Sequence, residues 1–159
     1  FASAASRSAD GGLSQRMFRT LLTRMQEHEA AVFVVATAND IEALPPELLR
    51  KGRFDEIFFV DLPEPDVRKE IFAIHLRKCS RDPAAFDLDR LAEVSDGYSG
   101  SEIEQAVIAA LHEAYADHAE IDTERVAAAV RNSPPLSATM AERVHALRQW
   151  ARGRCVPAG

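Results

Sequence analysis

Only two cysteines occur in the 159 residues, Cys79 and Cys155, and they share no metal-ligand spacing. Together with the lack of a recognisable signal peptide, they predict a reducing, cytoplasmic compartment. Long apolar runs are missing too. None approaches the ~18 residues that a helical membrane span requires. There is no basic surplus, since 19 Lys and Arg stand against 25 Asp and Glu for a net charge of −6. Divided at Leu62, the first part carries 7 basic and 9 acidic residues and the second 12 and 16. Neither part offers a basic surface to phosphate backbones, so a dedicated nucleic-acid binder is not expected. No Gly-x-x-x-x-Gly-Lys-Ser/Thr occurs, and with it goes any nest of N–H groups and lysine for β- and γ-phosphates. No apolar strand ends in Asp-Glu. Ile57-Phe58-Phe59-Val60-Asp61 runs into Leu62-Pro63, so it reads as a structural strand rather than a magnesium-binding one. An initiator methionine is absent as well. The opening, from Phe1 to Gly11-Gly12, has the small and polar composition of a loop, which leads us to expect residues ahead of it.

What is present has a globular balance, 47% hydrophobic and 28% charged. Ser14 can cap a helix over roughly 15–29, where Met17, Phe18, Leu21, Leu22 and Met25 recur at three and four. Residues 31–36 form a continuous β-branched run, the pattern of a central parallel strand covered on both faces. Pro45 and Pro46 open a short helix that Gly52 ends. A second apolar strand is expected over 57–60. Beyond Pro63 and Pro65 everything reads as helix, over 66–78, 87–95, 99–118, 123–132 and 137–151. Asp87 and Asp122 are the expected caps, and Ser99-Gly100-Ser101-Glu102 has capping-box spacing. Two parallel-type strands do not make a sheet. The fold class is therefore α/β, the carboxyl-terminal remnant of a parallel αβα sheet followed by an all-α domain. Its expected parts are 1–62 (large-domain remnant), 63–133 (helical domain) and 134–159 (last helix and tail).

Asn39 follows the first strand. An amide at the carboxyl end of a central strand stands where open α/β sheets bind ligands, although by itself it can equally begin the turn. Arg50 and Arg53 bracket a glycine turn. Paired guanidinium forks suit phosphate, while singly they can serve to complement a helix end. The whole segment, Ala36-Thr37-Ala38-Asn39-Asp40 with Leu49-Arg50-Lys51-Gly52-Arg53-Phe54-Asp55, resembles the second region of homology of the AAA ATPases. That resemblance implies a sensor asparagine, Asn39, that polarises the attacking water in cis. It also implies that Arg50 and Arg53 reach the neighbouring subunit's nucleotide as arginine fingers.

The second half resembles the same family. Ile74-His75 looks like its histidine beside the adenosine, and Gly97-Tyr98-Ser99-Gly100-Ser101-Glu102 like its sensor-2 turn. Gly100 and Ser101 stand where other AAA+ branches carry an arginine, which points to the AAA branch proper. His75, Gly100 and Ser101 are thus the implied nucleotide-contacting residues. Outside this resemblance, His75 reads as an ordinary surface or half-buried histidine and Gly100 as a permissive cap. Residues 1–13 are similar to the family's loop after the second acidic motif. Val35 to Phe59 and the tail from Pro134 to Ala151 are similar to the bacterial and plastid-encoded (hypothetical chloroplast frame) AAA ATPases. The resemblance implies ATP and Mg2+ as cofactors, a homo-oligomeric and hexameric ring, and a macromolecular, protein substrate, while charge balance and the short apolar runs lead us to expect neither membrane nor dedicated nucleic acid as partner. The ligands for the phosphates and the metal would lie outside this chain, which by itself is expected to be inactive. The competing expectation is a non-catalytic helical adaptor. A DNA-loading ATPase has no basic stripe to support it.

Overall fold

The computed structural model of the chain describes Thr20, Thr23, residues 33–38, Ile41, Leu44 and residues 54–158. The chain divides into two units, Phe1–Ile57 and Phe58–Gly159. In the first, Thr20 and Thr23 are helical, inside the helix expected over 15–29. Residues 33–38 carry no strand, contrary to the strand expected over 31–36, and Phe33 is 93% exposed. Apolar composition alone does not make a strand, because its backbone groups need a neighbour to form a ladder.

The second unit begins with a strand, β1 (Phe58–Phe59). It continues through α1 (Pro65–Lys78), a 3-10 turn (Pro83–Ala85), α2 (Leu88–Val94), α3 (Gly100–Ala116) and α4 (Thr123–Arg131). It closes with α5 (Leu136–Thr139), α6 (Ala141–Ala151) and a second strand, β2 (Val156–Pro157).

The helices start where the sequence places their caps. Pro65 occupies the first turn of α1, where its missing N–H leaves nothing unpaired. Asp87 accepts from Arg90 N at 3.0 Å and Asp122 from Arg125 N at 2.9 Å. Two helices end earlier or break for local reasons. The helix expected to reach His118 stops at Ala116, because His118 turns left-handed at φ 52° and Ala119 N–H bonds back to Ala114 O. The helix expected over 137–151 is broken at Met140, with φ −124°. There the carbonyl of Leu136 receives both the Met140 N–H and the Thr139 hydroxyl, and the second bond competes with helical continuation.

The core lies among α1 to α4. Phe72 and Leu76 of α1 meet Leu91 of α2, Ile103 and Val107 of α3, and Val126 and Val130 of α4, all fully buried. The alanines Ala106, Ala110 and Ala114 follow the same stripe of α3. Small side chains there let the helix axes approach closely and leave the large ones to fill the centre.

One buried cation belongs to this framework. Arg68 on α1 is 5% exposed. Its guanidinium donates to Ala92 O at 3.1 Å and to Pro63 O at 2.8 Å, and it pairs with Asp96 at 3.3 Å. It thereby joins the entry of α1 to the end of α2.

The tail departs from expectation. The sequence predicts a last helix and a tail there, yet β2 pairs in parallel with β1, Phe58 opposite Val156 and Phe59 opposite Pro157. Ala158 N–H extends the ladder to Phe59 O at 3.1 Å. A parallel pair requires a crossover connection, and here the crossover is the whole helical domain. The strand expected over 57–60 is present as β1, whereas β2 has only two residues, one of them proline, too few to show a period, so it leaves no strand signal in the sequence. Among the described residues no helix is long and apolar enough to cross a membrane.

Candidate functional site

Asn39, Arg50 and Arg53 lie outside the described residues, as does the short helix expected after Pro46. The described candidates are His75, Gly100 and Ser101. Along the packing of α1 on α3, Ile71 meets Gly100 and, one turn further on each helix, His75 meets Glu104. The two helices therefore run in the same sense at this contact, which places the imidazole one turn beyond the start of α3. His75 Nδ1 stands 3.3 Å from Glu104 Oε1. Its side chain is 13% exposed, and it has a carboxylate of its own chain as partner.

The turn that opens α3 is built by reciprocal capping. Ser99 Oγ accepts from Glu102 N, while Glu102 Oε2 accepts from Ser99 N at 2.8 Å and from Ser99 Oγ at 2.6 Å. The Ser99 and Ser101 hydroxyls are 3.2 Å apart. Ser101 is exposed and faces a shallow groove of about 380 Å³ that Gln105, Ala109 and Ser133 also line. The arrangement brings Gly100 and Ser101 together at a helix start, where first-turn N–H groups favour a polar or anionic ligand.

Glu102 does more than cap. Its other oxygen accepts from Leu136 N at 2.6 Å, so the same carboxylate holds the first residue of α5. Partial burial pushes the Glu102 carboxyl up. The bonds from the Ser99 hydroxyl, Ser99 N–H and Leu136 N–H outweigh that and bring it below the ordinary glutamate value. Tyr98, 4% exposed, directs its hydroxyl to the carbonyls of Val130 and Ser133. Burial and then the charge of Glu102 raise its phenol above the usual value. The turn Gly97–Glu102 is thus tied to the end of α4 and to the segment after Pro135, a connection that no local sequence pattern reveals.

The two glycines of this turn have opposite requirements. Gly97 has φ +76°, and a Cβ on it would stand 2.5 Å from Ser137 Oγ. Gly97→Ala is expected to lose about 1–2 kcal/mol from the left-handed backbone alone. A Cβ on Gly100 would meet only Ile71 Cδ1 at 3.5 Å, an ordinary contact. Gly100→Ala should change stability by less than about 0.5 kcal/mol. Urea unfolding of the two variants checks this, and equal losses would show that the fold needs both glycines.

Residues 2–62 match the model of the ATPase family associated with various cellular activities (AAA), and residues 85–126 match an AAA+ lid domain. The second match covers α2, α3 and the start of α4. The chain is 47% identical over 143 residues to the uncharacterized AAA domain-containing protein ycf46 of Pyropia yezoensis, covering 89% of this chain and 29% of that protein. It is 41% identical over 143 residues to the ycf46 protein of Guillardia theta, again 89% of this chain and 28% of the relative. Against the ATP-dependent zinc metalloprotease FtsH 2 of Sorangium cellulosum it is 41% identical over 101 residues, 61% of this chain and 16% of that protein. The chain thus spans less than a third of the length of these curated relatives. With large-domain residues ahead of a capped helical lid, the chain belongs to the AAA family of ATPases.

Proposed function

We propose that this chain is the carboxyl-terminal part of an AAA module that hydrolyses ATP in a cytoplasmic ring, a hexamer, to remodel a macromolecular substrate, most simply a protein. One observation carries the reading. The family's lid is present as a packed domain, and its Gly97–Glu102 turn keeps a glycine, Gly100, that packing does not demand. A glycine that the fold can spare is explained by close approach of a ligand to the backbone. The resemblance supplies that ligand as the adenosine end of ATP, with His75 and Ser101 beside it.

Asn39 would orient the attacking water in cis, and Arg50 and Arg53 would meet the phosphates of the adjacent subunit. His75 would contact the nucleotide through the ring nitrogen that does not face Glu104. The bond to that carboxylate fixes how the ring is turned. Magnesium, when bound, neutralises phosphate charge during transfer. Among the described residues no group of three His, Cys, Asp or Glu could hold a metal, so none of them is assigned to it.

The test uses the complete protein. It is expected to hydrolyse ATP with Mg2+, and Asn39→Ala should slow turnover about 100-fold while ATP still binds, as when a preorganised polar group is lost. A complete protein that binds ATP but never turns it over, with or without other subunits, would favour the adaptor reading instead.

A further inference from the structure

The linker between β1 and the lid is shorter as a joint than it is as a sequence. Arg68 holds Pro63 O, and α1 begins at Pro65, so Pro63 already moves with the lid. Phe58 and Phe59 are fixed in the ladder with β2. Only Val60, Asp61 and Leu62 remain to act as a pivot. The tail grips that pivot. Arg148 Nε on α6 donates to both carboxylate oxygens of Asp61, at 3.0 and 2.8 Å. Next to this pair, β2 adds to β1, with Ala158 N–H on Phe59 O.

The other end of the tail is anchored on the turn that opens α3. Leu136 N–H bonds Glu102, and Ser137 packs against Gly97. Between the anchors, α6 buries only Ala151. It is held by its ends and not by its length. Both side chains of the Arg148–Asp61 pair are close to half exposed. Such a pair is weak enough to open and close repeatedly.

We infer that segment 134–158 is a strap across the lid pivot, and that Arg148 and Asp61 are positioning residues that set the lid angle during nucleotide turnover. The second clause rests on the ATPase reading above. With the clasp closed, the lid cannot rotate about 60–62 without carrying α6 and β2 along. With it open, the Gly97–Glu102 turn is free to rotate about 60–62, and bound ADP leaves faster.

The experiment takes the complete protein with Arg148→Glu, Asp61→Arg, and both changes together. It measures release of a fluorescent ADP analogue, kcat and KM for ATP, and hydrogen exchange at the Ala158 amide. Each single reversal should speed Ala158 exchange at least tenfold and ADP release at least threefold. kcat should change while the lid's melting temperature does not, and the double reversal should restore all three rates. Where a single reversal leaves Ala158 protected, Ala158→Pro removes the ladder bond itself, and ADP release and kcat are read on that variant. Unchanged ADP release after the tail has come free overturns the strap, as does a double reversal that rescues nothing. A protein that binds and releases ADP with the expected tail dependence but never hydrolyses ATP overturns the ATPase reading and leaves the strap standing. One that binds no nucleotide overturns both.

Discussion

Arg53→Ala is expected to abolish ATP hydrolysis in the complete protein while leaving ATP binding in place. A finger that offsets charge on the transferring phosphoryl group acts in the transition state and adds little to ground-state affinity. Loss of such a group costs about 1000-fold or more in turnover, roughly 4 kcal/mol of barrier. The expected change is therefore confined to kcat.

Mixing separates a trans role from a cis one. Subunits carrying Arg53→Ala keep an intact Asn39, and subunits carrying Asn39→Ala keep an intact Arg53. Each variant alone should be nearly inactive. In the proposed ring, mixed assemblies should recover part of the activity, at those interfaces where an intact Asn39 site faces a neighbour's intact Arg53. Steady-state ATPase rates across a titration of the two variants provide the measurement. Failure of the mixture to exceed the sum of its parts would place both residues in one and the same site and refute the trans geometry.

Arg68→Ala should destabilise the lid by about 2–4 kcal/mol, which for a domain of this size lowers the melting temperature by roughly 10–20 °C. The partner of the ion pair, Asp96, is 89% exposed and simply returns to water, so the pair itself contributes little. The carbonyls of Ala92 and Pro63 are the costly part. Ala92 is 1% exposed, and its oxygen loses a charged donor in a place that water reaches poorly. The lost side chain also leaves a cavity beside the core. Arg68→Lys should rescue little, because a single ammonium cannot match the spread of the guanidinium across two carbonyls. Thermal melting followed by circular dichroism checks both variants, and a loss below about 1 kcal/mol would mean that ordered water replaces the guanidinium.

The lid was legible in the sequence because its signals are local. Asp87, Asp122 and the Ser99–Glu102 box fix helix starts to within a residue or two, and the spacing of Ile103 and Val107 fixes the buried face of α3. Motif and family reading also located the turn around Gly100. The role of Glu102 in holding Leu136 was not legible, since the two are distant in sequence and joined only by folding. The same holds for Arg68, whose charge in the first turn of α1 suggests a solvated side chain, and for Arg148 and Asp61. Of the strand expected over 31–36, the described residues 33–36 form none, for the complementary reason. Its apolar residues specify a buried place, but a ladder needs neighbours that composition cannot supply.

The joining of β1 to β2 also bears on how this molecule comes to its final form. About a hundred residues separate Phe58 from Val156, so the pairing is among the least local in the domain and gains little until the helices between have condensed. During synthesis β1 and the four packed helices leave the ribosome first, and β2 follows as the last element described. The helical core can therefore be complete while the tail is still free, and closure over the pivot comes as a late step in maturation.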